Sequence, residues 1–227
     1  MVSVGKLAVQ IVSMSVVYAL MLFLGAGTIA WAEGWIFLAL FFGFTIAISA
    51  WLLKVNPGLL QERMTGIGKR DQKKWDKVFS LIAAILFFGW MVLIPIDAVR
   101  YRWSHVPLVV KIIGAAIVLW SFYLHFLVFR ENSYLSSAVR IQTDRGQTVV
   151  STGPYARVRH PMYAAAQLML AGASLLLGSW LGLVALVPLT IAIAFRAIGE
   201  ERTLRAELPG YDEYMRNVRY RFIPRVW

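Results

Sequence analysis

Six stretches of this sequence are apolar over lengths that point to a lipid bilayer: residues 7–30, 35–53, 78–96, 108–129, 161–177 and 180–195. A helix crossing the hydrocarbon layer needs about 20 mostly apolar residues, and it satisfies its backbone hydrogen bonds internally. The expectation is an all-α, polytopic membrane protein with about six transmembrane helices. Composition agrees: 59% of the 227 residues are hydrophobic and 15% charged, against about 45–50% and about 25% in soluble domains. The last two runs are short and only Gly178 and Ser179 separate them. They read as a tight helical hairpin over 161–195, with a single re-entrant element as the other arrangement. The N-terminus passes from Lys6 into an apolar run of span length without a small-residue cleavage site, so it reads as a first span rather than a leader.

The net charge is +11, from 23 Lys and Arg against 12 Asp and Glu. In a soluble chain this would suggest nucleic acid. Here position decides. Lys6, the loop 54–77 with seven basic residues, the segment 130–160 with five and the tail 196–227 with seven hold 20 of the 23. With six spans all four segments lie on one side, and the positive-inside rule makes that side cytoplasmic. The charge is topological and no nucleic-acid partner is expected. Trp31, Trp35, Trp103 and Trp180 fall at one set of span ends and Trp51, Trp75 and Trp227 at the other, as interfacial aromatic belts do. A bacterial inner membrane is the expected location.

The chain has no cysteine, which excludes disulfides, thiolate metal sites and a Cys nucleophile. Its three histidines, His105, His125 and His160, have no metal-ligand spacing, and no metal is expected. Ionisable residues inside spans mark ion pathways, and the span interiors offer only His125, so a pump or ion-coupled transporter is disfavoured. Gly25-Ala-Gly27-Thr-Ile-Ala30 fits a dinucleotide fingerprint by letter. It lies inside a span with no preceding strand, and reads as close helix packing.

Polar chemistry gathers from Arg130 onward. Gly153-Pro154 makes a turn, and Pro161 opens a helix at its first position, where a missing N–H costs nothing. Arg159 and His160 then stand at the helix entrance, with Tyr163 and Gln167 on one face just inside. A helix N-terminus beside an Arg attracts anions. The same residues serve equally as interface anchors, and their chemistry alone leaves both open. Arg196 and Glu200, at i and i+4, share a face where the sixth span leaves the membrane. If the last two spans form a hairpin, His160 and Glu200 meet at its open end. The alternative is a surface ion pair worth under about 1 kcal/mol. The tail from Leu208 to Pro224 alternates basic and aromatic residues, as an interfacial helix lying over that mouth would.

The order Gly153-Pro-Tyr155, Arg159-His-Pro-Met-Tyr163, a hydrophobic hairpin, then Glu200-Glu201, Leu204, Tyr211, Tyr214 and Pro224 resembles the integral-membrane methyltransferases of the isoprenylcysteine carboxyl methyltransferase type. Phospholipid methyltransferases share much of this region. Upstream, Asn56-Pro-Gly-Leu-Leu-Gln-Glu-Arg63 and Lys74-Trp-Asp76 resemble bacterial members more weakly. The resemblance implies S-adenosylmethionine as methyl donor, S-adenosylhomocysteine as product, and a lipid or prenylated acceptor arriving from the bilayer. The resemblance covers about the last 100 residues; with no internal repeat, one membrane domain over 1–227 is expected, with four spans in 1–129 and, as the resemblance implies, the cofactor-binding catalytic region in 130–227. Carried over residue by residue, Gln147, Thr148, Val149, Val150, Tyr155, His160, Pro161, Met162, Tyr163 and Glu200 would bind the cofactor. Arg196 would bind substrate, and Arg196 and Glu200 would be catalytic. Gln147 stands where the family commonly has a His, and the eukaryotic prenylcysteine enzyme has more spans than six. Isoprenylcysteine-type carboxyl O-methylation is the leading expectation. Phospholipid N-methylation, thiol S-methylation, a sterol-reductase-like enzyme holding NADPH through Arg140, Arg145 and Arg157, and a non-enzymatic scaffold are the alternatives.

Overall fold

In a computed structural model that describes residues 2–65 and 72–227, the chain is helical, with no strand among the described residues. The elements are α1 (Val4–Ala26), α2 (Ala32–Val55), α3 (Pro57–Thr65), α4 (Lys74–Pro95), α5 (Leu108–Glu131), α6 (Pro161–Leu176), α7 (Trp180–Val184), α8 (Leu186–Glu207) and α9 (Tyr211–Asn217). The end of α4 widens into a π-helical turn at Ile96–Arg100. Of the seven basic residues in the 54–77 loop, Lys69 and Arg70 lie outside the described residues.

Five helical segments are long and apolar enough to span a membrane: α1, α2, α4 with its π turn, α5, and α7 with α8. The protein is an integral membrane protein. The expected count of six is therefore met by five long helices and one shorter apolar one. At 16 residues and ~1.5 Å per residue, α6 is only about 24 Å long. Its start is set by Pro161, because the six residues before it fold into the functional end of the molecule. Its middle is enclosed by protein, with Ala165 and Ala173 fully buried. The last helix runs well past the expected residue 195, since α8 keeps its helical bonds to Glu207 after its apolar residues end. The 54–77 connection likewise holds structure: Asn56 Oδ1 caps α3 by accepting from the Leu59 N–H at 3.0 Å, and Pro57 opens the helix.

The bundle is apolar on its outer surface as well as in its interior. Val9, Leu24, Ile36, Ile85, Ile112 and Ile191 point outward, as lipid-facing residues should. Leu22, Phe37, Trp90, Met91, Ile94, Val118 and Leu177 form the interior. Without a hydrophobic force between helices in lipid, close approach of small residues carries much of the packing. At the α5–α6 crossing, a Cβ on Gly114 would lie 2.5 Å from the Leu176 nitrogen, and one on Gly172 would lie 2.9 Å from the Gly114 oxygen. Gly25 plays the same part between α1 and α4, where an added Cβ would meet Pro95 Cγ at 2.6 Å.

The end opposite the long loops is locked by one buried acid. Asp97 Oδ2 accepts from the Ser104 hydroxyl at 2.6 Å and from the Ser179 hydroxyl. Ser179 in turn caps α7 by accepting the Gly182 N–H at 2.8 Å. This fixes the turn between α6 and α7 and aims the hairpin's open end at the basic face.

Candidate active site

At that basic face the helices enclose a cavity of about 460 Å³. Phe79 and Ala83 of α4, His125 of α5, Met162, Tyr163 and Ala166 of α6 and Ile193 of α8 form its membrane-ward wall. Gln147 to Val150, Tyr155, Leu204, Leu208, Tyr211 and Tyr214 also line the cavity, and most of them pack together with Met162. Arg196 and Glu200 reach it from α8, one turn apart. The volume lies within the ~300–1,000 Å³ usual for small-molecule sites.

The neighbouring carboxylates of α8 have different work. Glu200 lines the cavity; the Tyr163 hydroxyl donates to its Oε2 at 2.6 Å, and His160 Nδ1 lies 3.8 Å away. Glu201 is buried behind the wall at 3% exposure. Arg159 Nε donates to its Oε1 at 2.7 Å, His160 Nε2 lies 3.1 Å from the same oxygen, and Arg221 Nε donates to its Oε2 at 3.0 Å. Arg159 also donates to the carbonyls of Val218 and Arg219, both at 2.7 Å. The backbone N–H groups of Arg159 and His160 donate to Tyr220 and Arg221 carbonyls. Arg159 therefore ties the tail across the hairpin mouth, so its guanidinium is spent on structure rather than on a ligand. The tail covers the mouth as short α9 plus irregular chain, not as one continuous interfacial helix.

Arg196 does not pair with Glu200 on the surface. Its Nε lies 3.1 Å from Asp76 Oδ1, off the line of a hydrogen bond, and its Nη2 donates to the Ser137 carbonyl at 2.6 Å. The guanidinium stacks between Phe79 and Tyr163, with ring centroids 5.0 and 5.8 Å away. Asp76 is fully buried and its Oδ2 accepts from Gln72 Nε2 and the Val139 N–H, both at 2.8 Å. Glu62 of α3 does similar work, accepting from Ser136 at 2.7 Å and Arg140 Nη2 at 3.0 Å. Through these acids α3 and the start of α4 hold the 133–150 segment over the cavity.

Every residue carried over from the family resemblance, except Pro161, borders the cavity, whereas Gln167, Arg145 and Arg157 do not line it. Pro161 is buried at the first position of α6. Gln147 turns its carbonyl oxygen to the Gln142 N–H at 2.8 Å, shaping its own loop. Of the arginines considered for a dinucleotide phosphate, Arg140 is engaged by Glu62 and Arg145 by Gln142 Oε1 at 2.6 Å. Gln167 contacts Thr190 at 3.1 Å. Asp76, Asn132, His125 and Arg63 were not named as site residues. For Asp76 and Arg63 the one signal was their place in the two upstream motifs.

Burial raises the phenols of Tyr155, Tyr211 and Tyr214 above their ordinary range. Tyr155 is held by Asn132 Nδ2, which donates to its hydroxyl at 2.8 Å. Tyr214 donates to the Tyr155 carbonyl at 2.8 Å. This wall presents neutral aromatic faces, suited to an adenine ring or to a cationic sulfur or nitrogen.

Comparison with known proteins supplies one match. Residues 109–208 fit the family described as phospholipid methyltransferase, a stretch running from the start of α5 to the end of α8. It contains Gln147 to Val150, Tyr155, His160, Tyr163, Arg196 and Glu200. No curated protein matches the chain.

Proposed function

We propose that this membrane protein transfers a methyl group from S-adenosylmethionine to a lipophilic acceptor at the cytoplasmic face. The observation that carries the reading is a single cavity in which Glu200 and Arg196, one turn apart, face an aromatic wall on one side and apolar span residues on the other. The donor set fits the cofactor. Glu200 offers an anion to its ammonium or ribose, Tyr155, Tyr211 and Tyr214 offer faces to its rings and positive charge, and the 147–150 backbone borders the same space. The N-terminus of α6 beside His160 suits its carboxylate. Bound S-adenosylmethionine supplies a methyl carbon already activated by positively charged sulfur, so a carboxylate acceptor displaces a neutral thioether without moving a proton.

The protein's share is alignment and exclusion of water. Arg196, stacked between Phe79 and Tyr163, presents its guanidinium as a planar fork to an acidic acceptor. Tyr163 orients Glu200. The tail, held by Arg159 and Glu201, closes the mouth. Phe79, Ala83, Ala166 and Ile193 leave an apolar approach for a prenyl or acyl chain. We favour carboxyl O-methylation of the isoprenylcysteine type because Arg63 and Arg196, of the four arginines that line the cavity, are the two not bound to Glu62 or Glu201. Phospholipid N-methylation is the second reading, favoured by the family match; there Glu200 or His160 would take the amine proton. The basic face supports a site and both termini on the cytoplasmic side, and a bacterial inner membrane is the setting we propose. A transfer assay with labelled methyl donor over carboxylate, amine and thiol lipids tests this. Label in a carboxyl ester supports the first reading, label on nitrogen the second, and no label in any lipid overturns both.

A further inference from the structure

Among the described residues, the cavity contains one arginine with no carboxylate at ion-pair distance. Three of its wall arginines are engaged: Arg140 with Glu62 at 3.0 Å, Arg159 with Glu201 at 2.7 Å, and Arg196 beside Asp76 at 3.1 Å. Arg63 lines the same space. Among the described residues, no carboxylate lies within ion-pair distance of it and no carbonyl accepts from it. Its closest recorded partner is the Phe129 ring, 5.4 Å from the guanidinium carbon. A guanidinium carries five N–H donors, and Arg63 is only partly buried, so its donors remain open to a ligand entering the cavity. Burial first, and the like charge of Arg196 second, hold Arg63 below the ordinary arginine range.

The position is built. Asn56 caps α3, and Leu59 and Leu60 are buried against Ile48, Leu52 and Phe129. This sets Arg63 in the last turn of α3, where Phe129 covers one face of the guanidinium. The 147–150 strip, Tyr211 and Tyr214 are assigned to the cofactor's part of the cavity, while Tyr155 and Tyr163 lie within electrostatic reach of Arg63. Arg63 shares with Arg196 the side bordered by span residues, where a lipid would bring its headgroup.

We propose that Arg63 is a second anion-binding group that receives the acidic headgroup, carboxylate or phosphate, of the lipid acceptor. The proposal rests on the methyl-transfer reading. It makes Arg63 a substrate-binding residue that selects acidic over neutral lipids, with Arg196 holding the reacting oxygen. A carboxylate of the cofactor is the other anion that would satisfy a guanidinium, and the test separates the two.

Purified full-length protein in neutral detergent is titrated with palmitate and hexadecyl phosphate, and with hexadecanol as the uncharged control. Wild type and Arg63→Gln are compared, and each is titrated separately with S-adenosylhomocysteine. The expected result is that wild type prefers at least one acid over the alcohol by about tenfold or more. Arg63→Gln abolishes that preference and changes S-adenosylhomocysteine affinity by less than about twofold. If Arg63→Gln does not fold, Arg63→Met, which keeps the stem packed on Phe129, takes its place. An unchanged preference overturns the proposal. So does a loss confined to S-adenosylhomocysteine, which would assign Arg63 to the cofactor. The lipid titration contains no methyl donor. A failed methyl-transfer reading would therefore show as no S-adenosylhomocysteine binding to wild type with the acid preference still dependent on Arg63.

Discussion

Tyr163 donates a 2.6 Å hydrogen bond from its hydroxyl to Glu200 Oε2, across the cavity mouth from α6 to α8. The next residue, Glu201, makes no such contact with the cavity and instead binds Arg159, His160 and Arg221. Adjacent acids on a helix point about 100° apart, so one serves the ligand and the other the scaffold.

Glu200 is predicted to matter for binding and little for stability. Glu200→Gln should weaken S-adenosylhomocysteine by about tenfold or more, the scale of a charged hydrogen bond worth ~1.5–3 kcal/mol. Tyr163→Phe should cost less. Titration calorimetry reads the first effect, and thermal unfolding should show midpoints close to wild type for both.

Glu201 is predicted to behave in the opposite way. Glu201→Ala leaves Arg159 buried without its anion, which costs about 3–5 kcal/mol. The thermal midpoint should fall sharply, and protease should cleave the tail beyond Tyr214 faster. Removing both charges with Arg159→Met and Glu201→Leu should recover part of the midpoint, because the uncompensated charge is gone.

For Arg196 the shape of the head group is the issue. Arg196→Lys keeps the charge but not the planar fork stacked between Phe79 and Tyr163. Turnover of an acidic acceptor should fall by about a hundredfold or more, on the order of the ~3 kcal/mol upper range of a charged hydrogen bond. S-adenosylhomocysteine affinity should stay near wild type. An equal loss of both would place Arg196 on the cofactor.

High pH should loosen the lid. Tyr155, Tyr211 and Tyr214 have folded-state pKa values raised above the ordinary 10.0. The unfolded phenols ionise near 10 while the folded ones keep their protons. The stability they contribute is complete below that pH and is lost as pH rises toward the folded values. Thermal midpoints measured across that window should decline, and Tyr155→Phe should make the decline shallower.

At the α5–α6 crossing, Gly172→Leu should be destabilising. Its side chain would drive into Ile117 and the Gly114 carbonyl, and overpacking of this kind costs about 1–3 kcal/mol. A lowered thermal midpoint checks it.

The helices and their grouping were legible because hydropathy is a local property: each span announces itself over about 20 residues. The shortness of α6 was legible in the same way. The pairing of the acids around the cavity was not. Asp76 and Arg196 stand on different helices far apart in the chain, and nothing local tells that Arg196 turns to Asp76 rather than to Glu200, its neighbour one turn on. Glu200 and Glu201 are chemically identical in the sequence, and only the positions of Tyr163 and Arg159 separate them. Arg159 looked like a ligand group beside a helix N-terminus until the tail carbonyls of Val218 and Arg219 occupied it. Arg63 carries no motif of its own chemistry; what marks it is that no carboxylate among the described residues pairs with it, a property visible only in three dimensions.

The central claim is that the cavity holds the methyl donor, and calorimetric titration of the purified protein with S-adenosylhomocysteine tests it most directly. The account predicts saturable one-to-one binding to wild type, weakened by about tenfold or more in Glu200→Gln. Absence of binding to folded wild-type protein would contradict it.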